Sequence, residues 1–266
     1  MKVLIVGYGT VGKNLQKEIF ALNPEIYDKY TGIDTRKHEW TTVQDKIQKL
    51  DYYYDIIFIC VDTPLKQEGE HEILDTTEVA NVINEHNADI YVIKSTMPML
   101  LTSMMQIHSG KHIVYSPEYY GTTPHSNNFD FNFTILGGDK SDCIKVQQAL
   151  QNCYDARHTF HITDTKTAEL AKLMENAWIA TKVSFCNQFY ELSKAFNLNY
   201  EELRELFILD PRVNSSHTFV YRDHPYWDTH CLNKDVPYIA DNENAQLLKS
   251  IIEFNNKQKD KYKKDK

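Results

Sequence analysis

The sequence predicts an α/β protein in which a doubly wound, mostly parallel sheet at residues 1–160 is followed by a smaller all-helical domain at residues 161–266. Three observations support this fold class. Short apolar runs alternate with helical patterns in the first part, and a glycine-rich turn follows the first of these runs. After about residue 160, long amphipathic stretches replace the short runs. Strands that alternate with helices are typical of a sheet with helices on both faces.

The predicted strands begin at the N-terminus. Residues 2–6 form the first apolar run, directly before the glycine-rich turn and a helical pattern, and a second strand is expected to end at Gly32-Ile33-Asp34. Near-continuous apolar runs follow at 55–61, 90–94, 112–115 and 133–136, and such runs are typical of strands buried on both faces of a parallel sheet. Helices are expected between them at 76–87 and 141–152.

The second half is predicted to be helical. Its long central helix is predicted at 165–197 and is amphipathic. Shorter helices are predicted at 201–209 and 243–256. Residues 210–235 are rich in His, Pro, Asn and aromatic residues, which favours a loop. The six lysines after residue 256 are expected to form a basic, solvated and frayed C-terminal tail.

Composition narrows the class of protein. The 266 residues are 42% hydrophobic and 25% charged, as in ordinary globular domains, and the net charge of −8 does not favour nucleic acid as a partner. No secretory signal and no apolar run of roughly 20 residues is evident, so neither export nor membrane insertion is expected. The five cysteines form no C-x-x-C pair, which predicts reduced thiols in the cytoplasm. The histidines are irregularly spaced, and no metal site is assigned.

The glycine-rich turn predicts a dinucleotide site. In Gly7-Tyr8-Gly9-Thr10-Val11-Gly12, the first glycine permits a tight turn and the second a close backbone approach to a pyrophosphate. The third permits close packing of the helix on the strand. Free N–H groups at the helix N-terminus then face the phosphates. The arrangement predicts a Rossmann-like domain.

Asp34 is the predicted cofactor-selecting residue. A carboxylate at the end of the second strand accepts hydrogen bonds from the adenosine ribose diol and repels a 2′-phosphate. The expected cofactor is therefore NAD, while Arg36 and Lys37 leave NADP open as an alternative. The residues assigned to the cofactor from this pattern are Gly7, Gly9, Thr10, Val11, Gly12 and Asp34.

Short polar strings follow one another along the rest of the chain. Those in the first half are Cys60-Val61-Asp62-Thr63-Pro64, Lys94-Ser95-Thr96-Met97-Pro98 and Ser116-Pro117-Glu118-Tyr119-Tyr120. Those in the second half lie at 168–177 and 181–187, at Asp210-Pro211-Arg212-Val213, and at Cys231-Leu232-Asn233-Lys234-Asp235. In order and residue type these strings resemble the UDP-glucose/GDP-mannose 6-dehydrogenase family, whose members oxidise the C6 alcohol of a nucleotide sugar to a uronic acid. The resemblance covers nearly the whole chain.

The chemistry of that family suits the residues present. Lys172 and Asn176 are four residues apart and share one helix face, where an ammonium and an amide suit an oxyanion. The resemblance implies that Cys231 is a nucleophile that carries the sugar aldehyde to the acid through a thiohemiacetal and a thioester. Cys60 and Cys186 are expected to be core thiols instead.

The resemblance implies further roles. Asp235 and Thr96 hold a water, Glu118 assists thioester hydrolysis, and Lys172 stabilises negative charge and assists proton transfer. Arg212 reaches the sugar in a neighbouring subunit, which implies a homodimer through the long central helix. Residues implied at the cofactor are Thr63, Thr96 and Lys234. Residues implied at the nucleotide-sugar substrate are Glu118, Lys172, Asn176, Arg212, Tyr226 and Trp227.

The chain departs from the family pattern in three places. Residues 223–230 contain no glycine, where the family has a glycine-rich loop, and Tyr226 and Trp227 are expected to stack on a sugar or base face there. Thr122 stands where a second carboxylate is frequent. The further α/β domain of the family is not expected within these 266 residues. Two alternatives follow: a non-catalytic NAD-binding or regulatory relative, and a two-electron dehydrogenase of a 3-hydroxy acid.

Overall fold

The computed structural model describes residues 1–36, 40–43, 46–49, 52–120 and 131–263. The chain divides into two compact units. The first consists of Met1–Pro64 and Asp75–Lys172, and the second of Leu65–Leu74 and Leu173–Lys266. The division therefore falls inside a long helix, directly after Lys172.

The strands are short and the helices vary widely in length. In chain order the strands are β1 (Val3–Val6), β2 (Glu25–Asp28), β3 (Ile33–Asp34), β4 (Trp40–Val43), β5 (Lys46–Lys49), β6 (Tyr53–Ile59), β7 (Leu65–Glu68), β8 (His71–Leu74), β9 (Asn87–Ile93), β10 (Ile113–Tyr115), β11 (Phe133–Gly137) and β12 (Thr159–Thr163). The helices are α1 (Thr10–Glu18), α2 (Thr77–Glu85), α3 (Leu101–Ser109), α4 (Lys140–Leu150), α5 (Thr165–Ala195), α6 (Tyr200–Phe207), α7 (His230–Ala240) and α8 (Gln246–Lys263). In the described part of the chain, no helix combines the length and the apolar character that crossing a bilayer requires.

The first unit is built on one sheet with the strand order β12-β11-β10-β9-β6-β1-β2-β3. The five strands β10, β9, β6, β1 and β2 are parallel to one another. At the edges, β3 is antiparallel to β2, and β11 is antiparallel to β10 but parallel to β12. The predicted doubly wound, mostly parallel sheet is confirmed.

Both faces of the central strands are buried, as their apolar runs predict. Ile5 and Phe58 enter one hydrophobic cluster, while their neighbours Leu4 and Ile57 enter another on the opposite face. Because the central strands are parallel, their carboxyl ends meet at one edge of the sheet. The loops at that edge carry ligands in this kind of fold.

The second strand ends earlier than predicted. β2 ends at Asp28, and Ile33 and Asp34 form the separate antiparallel edge strand β3. The chain reverses between these strands, and Gly32 has a φ of 72°, which favours glycine. The end of the second parallel strand is therefore Asp28, not Asp34.

The second unit combines helices with a β-hairpin. Strands β7 and β8 pair antiparallel, and both contact α7. At the end of α7, Asp241 accepts a hydrogen bond of 2.8 Å from Nδ1 of His71 on the hairpin. Beside its helices, the second unit thus contains a hairpin from residues 65–74 that the sequence pattern did not indicate.

Two stretches of the second unit are more helical than predicted. The expected loop at 210–235 ends at His230, where α7 begins, so Cys231 lies in a helix. The expected frayed tail is helical to Lys263, and two of its lysines pair with acidic side chains. Lys259 contacts Asp228 at 2.6 Å, and Lys261 is bonded to Glu191.

Candidate active site

The turn between β1 and α1 fits a pyrophosphate. Gly7 has a φ of 93°, and a Cβ at this position would lie 2.6 Å from the carbonyl oxygen of Cys60. A Cβ on Gly12 would lie 2.0 Å from the carbonyl oxygen of Gly7. Gly9 precedes the first turn of α1, which begins with Thr10 and Val11, and no side chain caps that turn. The cradle therefore presents backbone N–H groups at a helix N-terminus, as anion binding requires.

Asp28 is a buried carboxylate beside this turn, and it is a site residue that was not predicted from the sequence. Its Oδ2 accepts a hydrogen bond of 2.7 Å from the backbone N–H of Tyr8, between the first two glycines. Burial alone raises the pKa of Asp28, but hydrogen bonds from the backbone of Tyr8, Thr31 and Tyr30 outweigh it, and the pKa is lowered. The carboxylate is thus held ionised at the end of the strand next to β1. The signal for it was the short run that ends in Tyr27-Asp28.

Asp34 has a different environment. It lies on the edge strand β3, where Oδ1 and Oδ2 accept hydrogen bonds of 2.8 and 2.6 Å from the guanidinium of Arg36. That guanidinium stacks on the ring of Tyr27, 3.9 Å from the ring centroid. Asp34 and Arg36 therefore neutralise each other at the sheet edge, and Lys37 lies outside the described residues.

Thr63 and Thr96 join two loops at the carboxyl edge of the sheet. Thr63 follows β6, Thr96 follows β9, and the buried Thr63 hydroxyl donates a hydrogen bond of 2.9 Å to the carbonyl oxygen of Thr96. The structure brings together these two residues, both assigned to the cofactor from the resemblance.

Glu118 is held by a buried lysine. Lys94 Nζ lies 3.1 Å from Glu118 Oε2 and donates a hydrogen bond of 3.3 Å to Ser116 Oγ. The other carboxylate oxygen accepts a hydrogen bond from the backbone N–H of Tyr119. The same small cavity is lined by Glu18, whose pKa is raised by burial and by the charge of Glu118. Lys94 was not assigned a role from the sequence.

Lys172 lies over an aromatic ring. Its ammonium is 4.8 Å from the ring centroid of Tyr119, and its side chain is buried. Tyr119 in turn meets Phe133 edge to face, with centroids 5.1 Å apart. This geometry is that of a cation–π contact, which stabilises a partly desolvated ammonium.

Glu169 fastens α5 to the loop that carries Thr96. Its side chain is completely buried and accepts hydrogen bonds of 2.7 and 3.0 Å from the backbone N–H groups of Leu100 and Thr102. These groups lie at the N-terminus of α3, where N–H groups need acceptors. Glu169 therefore fixes the start of α3 relative to the helix turn that carries Lys172.

In the second unit, Asp235 is held from two sides. Asn176 Nδ2 donates a hydrogen bond of 2.6 Å to Asp235 Oδ2, and Lys234 Nζ donates one of 2.7 Å to Asp235 Oδ1. All three side chains are buried. The structure thus brings together Asn176, Asp235 and Lys234, three of the residues predicted for the site; a place for Lys234 near the cofactor stays a prediction.

Cys231 is the second residue of α7. Thr229 caps this helix by accepting a hydrogen bond from the backbone N–H of Leu232. The Cys231 side chain is half-buried, whereas burial raises the pKa of Cys60 to about 12 and that of Cys143 to about 11. A helix N-terminus favours a thiolate, and a half-buried thiol is reachable. Cys231 is thus better suited to nucleophilic chemistry than these two cysteines.

Trp227 does not fit the predicted role at the substrate. It is 5% exposed and packs with Ala180, Leu232 and Val236 in the core of the second unit. Because its ring is enclosed there, it cannot stack on a sugar or base. Tyr226 is half-buried and meets His224 edge to face.

Arg212 lies on the surface. Its guanidinium is 88% exposed and forms hydrogen bonds with both carboxylate oxygens of Asp210. Asp210 fixes the direction of the arginine without burying it. An exposed, pre-oriented guanidinium remains available to an anionic or hydroxylated ligand.

Comparison with known families gives two matches. Residues 13–156 match the NAD binding domain of the UDP-glucose/GDP-mannose dehydrogenase family, and residues 166–257 match its central domain. Cys231, Asp235, Asn176 and Lys172 all lie within the central-domain match.

Curated relatives agree with these matches. The chain is 25% identical over 221 residues to a UDP-N-acetyl-D-mannosamine dehydrogenase of Methanocaldococcus jannaschii, covering 79% of this chain and 50% of that protein. It is 27% identical over 292 residues to a UDP-glucose 6-dehydrogenase of Campylobacter jejuni, covering 96% of this chain and 72% of that protein. The chain therefore spans about half the length of the first of these relatives.

Solved structures show the same fold. A UDP-D-ManNAc dehydrogenase from Pyrococcus horikoshii superposes with a TM-score of 0.72 at 17% identity, covering 97% of this chain and 69% of that chain. A 3-hydroxyisobutyrate dehydrogenase of Mycobacterium tuberculosis gives a TM-score of 0.61 at 13% identity, covering 92% of this chain and 87% of that chain. At these identities the likeness concerns the fold alone.

Proposed function

Because this chain belongs to the UDP-glucose/GDP-mannose dehydrogenase family, we propose that it oxidises the C6 alcohol of a UDP-glucose-like nucleotide sugar to the uronic acid, with Cys231 as the nucleophile. The observation that carries the proposal is the placement of Cys231 in the capped first turn of α7. The same helix carries Asp235, which is bonded to Asn176.

NAD is the cofactor of the N-terminal domain family, and the residues of this chain fit it. Backbone N–H groups of the turn from Gly7 to Gly12 would hold the pyrophosphate. Asp28, ionised at the end of β2, would accept hydrogen bonds from the adenosine ribose diol, and its charge would repel a 2′-phosphate. When bound, NAD supplies the oxidant that takes up one hydride in each of two oxidation steps.

Cys231 makes the second oxidation possible. After the alcohol becomes an aldehyde, the Cys231 thiolate adds to C6 and forms a C–S bond, and the oxygen takes up a proton to give a thiohemiacetal. Loss of a hydride and of the hydroxyl proton leaves a thioester. Water then attacks the thioester carbon, the C–S bond breaks, and the acid and the Cys231 thiol are released.

Two neighbouring groups on α5 stabilise the negative charge that develops on the C6 oxygen. Lys172 and Asn176 are four residues apart and point to the same side of the helix. Lys172 is an ammonium held over Tyr119, and Asn176 is an amide oriented by Asp235. We assign water binding to Asp235 and Thr96, and assistance of thioester hydrolysis to the Glu118 carboxylate that Lys94 holds.

We also propose that the protein is a homodimer through α5. Met174, Trp178, Phe185, Phe189 and Leu192 recur every three to seven residues along this helix, and all are exposed. A stripe with this spacing on one helix face is typical of helix–helix interfaces. A second copy of the chain would cover it, and Arg212 of one copy would reach the sugar bound to the other.

One assay tests the function. The protein is mixed with NAD and, in turn, UDP-sugars, GDP-mannose and small 3-hydroxy acids, and NADH is counted per substrate consumed. We expect two NADH per nucleotide sugar, lost in Cys231→Ala and retained in the control Cys153→Ala, another half-buried cysteine. One NADH that survives Cys231→Ala would indicate the hydroxy-acid dehydrogenase, and NAD binding without any turnover would indicate a non-catalytic relative.

A further inference from the structure

The backbone of the loop before Cys231 is hydrogen-bonded to a side chain of α8. Trp227 donates a hydrogen bond of 2.8 Å from its N–H to Asn255 Oδ1, and its carbonyl oxygen accepts one of 3.0 Å from Asn255 Nδ2. Its indole N–H donates to Ser184 Oγ on α5 at 3.1 Å. A buried amide side chain therefore fixes both polar groups of one residue in a loop that has no glycine.

The next residue, Asp228, is held by side chains from two helices. Its Oδ1 accepts hydrogen bonds of 2.6 Å from Lys259 Nζ on α8 and 2.8 Å from Asn233 Nδ2 in α7. The hydrogen bond from Lys259 is the largest cause of a lowered pKa of Asp228, so this carboxylate is ionised, and Lys263 adds a weaker attraction.

Asp228 lies at the N-terminus of α7, the helix end that carries Cys231. Asp228 directly precedes the capping residue Thr229, and its partner Asn233 belongs to the same first turn as Cys231. An unpaired carboxylate at this point would repel a second anion in that turn and oppose the favourable field of the helix N-terminus. Lys259 removes this repulsion because its ammonium, 2.6 Å from the Asp228 carboxylate, neutralises the negative charge.

We propose that Lys259 is a positioning residue for Cys231: its ammonium neutralises Asp228 and, together with Asn255, fastens the loop to α8, so that the turn bearing Cys231 keeps its thiolate reactive. The inference deepens the proposed function, on which it rests for the role of Cys231. The lysine-rich helix α8 would thus hold in place the loop at residues 223–230, which contains no glycine.

The test measures thiol reactivity without turnover. Native protein is treated with iodoacetamide at pH 7.5 and low salt, and modification of Cys231 is followed by peptide mass spectrometry. We expect Lys259→Met to slow Cys231 alkylation about threefold, the effect of an uncompensated nearby charge partly screened by water. Adding Asp228→Asn to this variant restores the wild-type rate, because the repelling charge is gone.

Two controls isolate the charge. Lys259→Arg keeps the cation, so its Cys231 is expected to be alkylated at the wild-type rate. Lys261→Met removes another α8 lysine, whose partner is Glu191, and is likewise expected to leave the alkylation rate of Cys231 unchanged. Equal thermal midpoints for the variants show that the fold is intact. Unchanged alkylation in Lys259→Met, or a double variant as slow as Lys259→Met, would overturn the proposal.

Measuring NADH formation then distinguishes the positioning role of Lys259 from the proposed catalytic role of Cys231. If Cys231 is not a nucleophile in turnover, Cys231→Ala keeps two NADH per sugar while the alkylation differences persist. If both hold, Lys259→Met lowers kcat about threefold and leaves the KM for NAD unchanged, since the cofactor cradle is formed by other residues.

Discussion

The amide of Asn176 donates a hydrogen bond of 2.6 Å to the carboxylate of Asp235, and both side chains are buried. The bond joins α5 to α7, the helix that carries Cys231. Asp235 is also bonded to Lys234, so each oxygen of the buried carboxylate accepts a hydrogen bond and the lysine balances its charge. The orientation of the Asn176 amide therefore depends on an intact Asp235 carboxylate.

Replacing that carboxylate is expected to be costly. Asp235→Asn keeps the shape of the side chain but removes the negative charge that the buried Lys234 ammonium contacts at 2.7 Å. We expect the free energy of unfolding to fall by about 3 kcal/mol, as for other broken buried ion pairs, measured by urea titration. The control Asp241→Asn affects the half-buried partner of the exposed His71 and is expected to cost less than about 1 kcal/mol. Equal losses for both variants would contradict the account.

Tyr119 is expected to support catalysis through Lys172. Tyr119→Leu removes the ring under the ammonium, while Tyr119→Phe keeps it. Since a desolvated cation–π contact contributes about 1–2 kcal/mol, Tyr119→Leu lowers kcat roughly 5- to 30-fold and Tyr119→Phe changes it little. In a Lys172→Ala background the leucine substitution has no further effect on kcat; an equal additional loss in that background would refute the coupling.

The two aspartates near the cofactor turn are expected to differ. Asp28→Asn weakens NAD binding roughly 10- to 150-fold, because a charge-assisted hydrogen bond to the ribose contributes roughly 1.5–3 kcal/mol. Asp34→Asn, the matched control on the edge strand, leaves NAD affinity within about twofold, since its carboxylate is engaged by Arg36. Titration calorimetry decides between them, and the reverse order of effects would restore Asp34 as the ribose ligand.

The exposed stripe on α5 is expected to hold two copies together. Phe189→Glu places a charge at the middle of the stripe and is expected to give a monomer by light scattering, where the wild type is a dimer. Phe20→Glu, an exposed aromatic residue in the first unit, is the control and stays dimeric. If the wild-type protein is a monomer, both the proposed α5 interface and the proposed role of Arg212 at the sugar of the other copy are wrong.

Local patterns predicted much of the fold. The apolar runs and the turn from Gly7 to Gly12 sufficed for the parallel sheet and the cofactor cradle, because both depend on residues adjacent in sequence. The second strand was misplaced since the Gly32 turn separates two short apolar segments, each followed by an aspartate. Helix α7 was missed because it begins among residues of low helix propensity and contains Pro237.

The candidate site was predicted by residue type but not by contact. The bonds of Asp235 with Asn176 and of Trp227 with Asn255 join residues far apart in sequence, and no periodicity reports them. Trp227 was misassigned because an aromatic residue in a polar stretch resembles a binding residue until its burial is known. The hairpin at 65–74 has few apolar residues, so its strands depend on packing rather than on pattern.

Trapping the covalent intermediate is the sharpest test of Cys231 as the nucleophile. Glu118→Gln, expected to slow thioester hydrolysis, is mixed with NAD and UDP-glucose, quenched in acid, digested and analysed by mass spectrometry. We expect the peptide that contains Cys231 to gain the mass of the oxidised sugar nucleotide as a thioester, and hydroxylamine to remove it. NADH formation with no adduct on Cys231, or an adduct on another cysteine, would contradict the account.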